Sequence, residues 1–124
     1  MNPAYRNVVI RVEGKIPSCD FSIVTACNPK GQINSKESNR QADQKLRDAL
    51  ADLTPPPLRA TGMSPDQSHQ EPGWTVWDLD ESIRLGREFQ QEAIYRVTRG
   101  TLHLIALNTE IHETLGPLKD FLVH

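Results

Sequence analysis

The sequence predicts an α+β domain: two layers, with a mixed or antiparallel sheet of about five to six strands and two main helices on one face. Three observations carry this reading. Short β-rich runs recur along the chain, and most follow one another through short connections. Two stretches, one after Asn34 and one after Asp78, carry apolar residues at helical spacing. A doubly wound parallel sheet would need a helix after nearly every strand, and the chain does not supply them.

In order, Val8, Ile10 and Val12 alternate with Asn7, Val9, Arg11 and Glu13, a first strand with one buried face. A connector from Gly14 to Asp20 leads to Phe21-Ser22-Ile23-Val24-Thr25-Ala26, a second strand expected to form a hairpin with the first. Asn28-Pro29-Lys30-Gly31 is a turn: proline fixes φ, and glycine and asparagine tolerate positive φ. Asn34 then reads as a helix cap with Glu37 closing a capping box. From there Ala42, Leu46, Ala49, Leu50 and Leu53 form the inner face of a helix of about five turns. Thr54-Pro55-Pro56-Pro57 ends it.

Leu58 to Met63 is a short third strand, Ser64 to Pro72 an exposed polar loop, and Gly73 to Trp77 a fourth strand. Asp78 or Asp80 caps a second helix whose inner face is Leu79, Ile83, Gly86, Phe89 or Gln90, and Ala93. Ala93 to Val97 and Thr101 to Leu107 form a hairpin through Thr98-Arg99-Gly100. After Asn108, the spacing of Ile111, Leu115, Leu118, Phe121 and Leu122 fits a short amphipathic helix broken at Gly116-Pro117.

The 124 residues are long enough for one domain and one core, not for two. A formal charge of −2 gives no bulk electrostatic pull toward nucleic acid. No apolar run approaches the roughly 18 residues of a membrane span, and the polar residues among the first fourteen argue against a secretory signal. Cys19 and Cys27 flank a strand that would hold their Cα atoms on the order of 25 Å apart, so they read as reduced thiols of a cytosolic protein.

Candidate chemistry gathers at the strand–turn–helix junction. Stepping back along the inner stripe from Leu46 and Ala42 gives Asn39 and Ser35, polar residues where a purely structural helix would be apolar. Lys30 and Gly31 lie just before the helix, whose N-terminus could hold an anion. No GK[ST] follows and Gly31 stands alone, so this is neither a P-loop nor a dinucleotide fingerprint. No CxxC, HxxxH or HExxH occurs, and His69 and His103 have no partner spacing, so neither a metal nor a cofactor is expected. No GxSxG elbow is present. Cys27 reads as a small buried hydrophobe rather than an activated thiol.

The run Phe21 to Gly31, with Ser35 and Asn39 after it, resembles the opening of DUF3293, a bacterial domain family of unknown function. That pattern is an apolar strand ending in Thr-Ala-x-Asn-Pro, then Ser and Asn four residues apart. Glu71 ahead of Trp74, and Phe89-Gln90-Gln91 before Ala93-Ile94-Tyr95, are similar to its later half. Two positions depart: Gln90 stands where a glycine is usual, and Cys27 where an aromatic residue is common. The resemblance spans about Val9 to Leu107, with 108–124 as an extension. It implies a fold and the location of a site, and no reaction.

The residues together suggest a polar pocket built from Thr25, Asn28, Lys30, Gly31, Ser35, Asn39, Glu71 and Gln91, suited to a small polar or phosphorylated ligand such as a nucleotide. Were there catalysis, Glu71 would be its general base. The rival reading is a protein–protein interaction module, an inhibitor or regulator anchored by Trp74, Trp77 and Tyr95.

Overall fold

In the computed structural model, which describes residues 3–109 and 111–123, one antiparallel sheet of seven strands carries two helices. The strands are β1 (Val9–Val12), β2 (Phe21–Thr25), β3 (Arg59–Met63), β4 (Gln70–Val76), β5 (Ala93–Thr98), β6 (Thr101–Ala106) and β7 (His112–Pro117). The helices are α1 (Lys36–Ala49) and α2 (Leu79–Glu88). Strand order across the sheet is β1-β3-β4-β2-β5-β6-β7.

That order corrects the expected hairpin between β1 and β2. β1 pairs with β3, and β2 sits between β4 and β5. The reason lies in burial: Phe21, Ser22, Ile23 and Val24 are all buried, as a strand covered on both faces requires. β1 has only Ile10 fully buried and lies at the edge of the strand order.

The strand count is also corrected, from five or six to seven. The stretch read as a C-terminal amphipathic helix is β7 followed by a 3-10 turn at Leu118–Asp120. Within β7, Glu113 and Leu115 are half-buried and alternate with exposed His112 and Thr114. This two-residue period was hidden by apolar residues that happen to fall at helical spacing. The β5–β6 hairpin stands where expected, and its turn residues Arg99 and Gly100 both have positive φ (50° and 76°).

Each face of the sheet has its own core. On one, Val24, Val76, Ile94, Ile105 and Leu107 pack against Leu46 of α1, Leu50 at its C-terminal cap and Leu85 of α2. On the other, Ile10, Phe21, Ile23, Ala60, Val97 and Leu102 are covered by Leu118, Phe121 and Leu122. The sheet curls for this second core to close. Phe121 O accepts from Ile10 N–H and Val123 N–H donates to Ile10 O, so the chain after β7 comes back along β1.

Both helices are capped, with one change of residue. The Ser35 hydroxyl accepts from Ser38 N–H at 3.1 Å, in the role expected of Asn34. Asn34 N–H is drawn instead to the Asn28 side chain at 2.9 Å, which delays the helix start. Glu37 closes no capping box; it pairs with Arg40. α1 is therefore shorter than five turns, and exposed Ser35 is a cap rather than a member of the inner stripe. Asp78 caps α2 by accepting from Glu81 N–H. Its buried residues are Ser82, Leu85 and Gly86, and Ala93 belongs to β5 instead.

Glu71 and Pro72, expected in a loop, lie in β4, whose pairing with β3 runs from Trp74 back to Gln70. β2 pairs with β4 only as far as Gly73, so Pro72 sits beyond the doubly flanked part of the strand. Gly73 has no alternative residue: a Cβ there would come within 2.5 Å of Val24 O. The two cysteines are free, Cys19 exposed and Cys27 buried.

Candidate functional site

β2 ends at Thr25, and three residues later the chain turns through Asn28 in the left-handed region (φ 50°, ψ 60°). Such a conformation is costly for most side chains and tolerable for asparagine. It aims the Asn28 backbone N–H at α1, where Asn39 Oδ1 accepts it at 2.9 Å. The Asn39 amide donates back to Asn28 Oδ1 at 2.9 Å, so the two residues are doubly paired. Asn28 Oδ1 accepts Asn34 N–H as well, and Asn28 Nδ2 donates to Glu71 Oε1 at 3.0 Å. One side chain thus ties the turn, the start of α1 and β4 together. Asn39 is half-buried on the inner stripe, where its spacing placed it.

Gln91 makes a parallel tie from the other side. Its Oε1 accepts from Thr25 Oγ1 at 2.9 Å, and its Nε2 donates to Cys27 O and Phe89 O at 3.0 and 3.1 Å. Lys30 N–H donates to Gln90 O at 2.7 Å, joining the turn to the end of α2. Lys30 (φ 60°) and Gln90 (φ 58°) are both left-handed, so three strained non-glycine residues meet here with Asn28.

Of the predicted residues, Thr25, Asn28, Asn39, Glu71 and Gln91 are brought together in this network. Lys30 and Gly31 form its exposed rim, and Ser35 stands apart, its hydroxyl engaged as the helix cap. No cluster of three or more possible metal ligands occurs among the described residues.

Glu71 is half-buried and its environment is mixed. Burial pushes its carboxyl above the ordinary range, the Asn28 amide pulls it back, and the negative charge of Glu92 pushes it up again. Burial, Glu71 and Asp43 raise the Cys27 thiol to about 12, which removes it as a nucleophile at neutral pH.

Two residues that sequence reasoning missed complete the surroundings. Glu92 lies over Gly31 so closely that a Cβ at Gly31 would fall on its carboxylate. Tyr5 O–H donates to Glu92 Oε1 at 3.4 Å, and Tyr95 O–H donates to Tyr5 O at 2.7 Å. Burial and the charges of Glu92 and Glu71 raise the Tyr5 phenol to about 12. Glu92 is adjacent to Gln91 and followed by a strand, a signal that was available; for Tyr5 the sequence offers none.

A second constellation lies on the helix face. Arg59 makes a two-pronged ion pair with Asp43 of α1, both contacts at 2.8 Å, and its guanidinium stacks 3.9 Å from the centre of the Trp74 ring. Trp74 Nε1 donates to the same carboxylate at 3.1 Å. This arrangement locks α1 to the sheet beside the Asn28–Asn39 pair.

Open space lies next to the junction. One cleft, of about 320 Å3, is lined by Lys30, Arg87, Gln90, Gln91, Glu92, Leu107 and Asn108. A neighbouring cleft of similar volume shares Glu92 and Asn108 with it and extends to Arg6, Ala106, Ile111 and Glu113. Glu71 lines neither.

The sequence motif that this network contains is matched by a family model, described as a protein of unknown function (DUF3293), over residues 24–94. The chain belongs to the DUF3293 family. The DUF3293 segment starts inside β2 and ends inside β5, so it holds the Asn28–Asn39–Glu71 and Thr25–Gln91 ties and both helices. Tyr5 and the β6–β7 walls of the clefts fall outside it. No curated protein and no solved structure matches the chain.

Proposed function

We propose that this protein binds a small polar or phosphorylated ligand, such as a nucleotide, in the cleft beside the strand–turn–helix junction. The observation that carries the reading is the meeting of three left-handed residues, Asn28, Lys30 and Gln90, the last two of which line a cleft together with Gln91. Strained backbone costs of order 1–3 kcal/mol per residue and persists where surrounding bonds over-determine it. Here those bonds fix the Lys30 backbone and the Gln91 side chain at the cleft, which lowers the entropy lost on binding. The volume, about 320 Å3, is in the range of small-molecule sites.

Glu71 supports the cleft from behind rather than lining it. Its role in this reading is to hold Asn28, and through Asn28 the turn that carries Lys30. The interaction-module reading has less in its favour. Trp74 is covered by Arg59, Trp77 donates to Pro55 O and meets the Phe21 ring edge-on, and Tyr95 donates to Tyr5 O. All three rings are at most half-exposed, so they offer little surface to a partner.

A thermal-shift screen against inorganic phosphate, nucleotides and sugar phosphates tests the proposal. A ligand present at about 100 times its Kd adds roughly 2.7 kcal/mol of stability. A rise in Tm that is lost in both Lys30→Ala and Gln91→Ala is expected. The same rise in the variants, or none with any compound, overturns the assignment of this cleft.

A further inference from the structure

Resting on that reading, we infer that the two neighbouring clefts form one two-part site for a phosphate ester carrying a vicinal diol, with the phosphate by Lys30 and the diol on Glu92. The clefts share Glu92 and Asn108, so a single ligand can reach from one to the other. Their charges differ. Besides the shared Glu92, the first carries Lys30, Arg87, which donates to Leu107 O, and two side-chain amides, Gln90 and Gln91. The second also contains a cation, Arg6, but both oxygens of Glu113 lie 2.8 Å from its Nε. With Glu92 common to both clefts and Glu113 present only in the second, an anionic group finds its attraction at Lys30 in the first.

Glu92 marks the junction. An ionised carboxylate is acceptor-only, so it recognises donors, and a pair of adjacent hydroxyls offers two. Gly31 makes room for it: any side chain at that position would displace the carboxylate from the shared wall. Tyr5 O–H, donating to one oxygen, fixes its orientation. Beyond Glu92, Ala106 and Ile111 give the second cleft an apolar wall, and Ile111 is 64% exposed. That wall suits a flat base, which makes a nucleoside monophosphate the first choice; a pentose phosphate shares the phosphate and diol and would leave the wall uncovered.

The test uses the full chain and isothermal titration with adenosine monophosphate, its 2′,3′-dideoxy analogue, ribose 5-phosphate and inorganic phosphate. Hydrogen bonds to a charged group contribute enough that loss of the diol should weaken binding by about tenfold or more. In Glu92→Ala that preference should disappear while phosphate-dependent binding remains. In Lys30→Ala the reverse should hold. Apo melting temperatures, measured alongside, verify that both variants fold. Adenosine monophosphate binding more tightly than ribose 5-phosphate assigns the apolar wall to a base; equal binding assigns the site to the pentose phosphate. If phosphate compounds bind and respond to Lys30→Ala but the diol has no effect, the two-part site is overturned while the polar-ligand reading survives. If none of the four binds, both fall.

Discussion

Asn39 occupies the position where helix α1 and the turn after β2 depend on a single side chain. Its amide supplies both an acceptor to Asn28 N–H and a donor to Asn28 Oδ1. Asn39→Ala leaves a half-buried backbone N–H without that partner and is expected to cost roughly 1–2 kcal/mol in urea unfolding. A variant as stable as wild type would refute the pairing. Glu71 makes a different prediction, about pH. Its folded-state carboxyl titrates above the ordinary value of 4.5, so the folded chain holds that proton more tightly than the unfolded chain. Stability therefore falls as pH rises from the ordinary value through the raised one. Glu71→Gln removes this dependence. At pH 4 the variant should lie within about 0.5 kcal/mol of wild type, and by pH 8 it should have gained relative to it. A difference in Tm that stays flat across that range, or runs the other way, excludes a burial-raised carboxyl. Asn39 was legible because helical spacing is a strong signal inside an established helix. Ser35 departs from the expected inner stripe because it falls where the helix starts, and there the periodicity says nothing about direction. Tyr5 and Glu92 were not legible as a pair, since only the folded sheet brings the start of the chain against β5.

At the scale of elements, the strands and helices that carry strong local signals were found in place, and the failures share one cause. Polar residues that continue into Glu71 predict a loop there, yet pairing between β3 and β4 extends through Gln70. At β7, Ile111, Leu115 and Leu118 mimic a helical stripe, while its partner β6 lies just before it in the chain. In both cases a neighbouring strand imposed the conformation, and local composition cannot register a neighbour. β7 and the turn after it have a measurable role. They cover Phe21 and Leu102, and the residues beyond them satisfy the exposed edge of β1 at Ile10. Removing 111–124 should open that core and leave two strand edges bare, at β1 and β6. The truncated chain is expected to show exchange-unprotected amides at Ile10 and to aggregate on purification. A monomeric truncated form with a wild-type Tm would contradict the closure of the sheet.

At the scale of the whole molecule, the sheet's strand order separates the chain into parts that can pair early and parts that cannot. β3 with β4, and β5 with β6 and β7, are sequence neighbours joined antiparallel. β2 is different: its partners are β4, which begins at Gln70, and β5, which begins at Ala93. The segment that carries the family signature thus precedes both of its partners and keeps an open edge until β5 follows. Until β4 has formed, Phe21, Ile23 and Val24 have no sheet to enter, which exposes an apolar strand to non-native pairing. Hydrogen-exchange pulse labelling during refolding should find β5 and β6 amides protected first and β2 amides protected only with the final cooperative step. Early protection in β2 would mean that it has found another partner on the way. The junction on which the proposed site depends is therefore a late product of assembly, inheriting its shape from strands that arrive long after it.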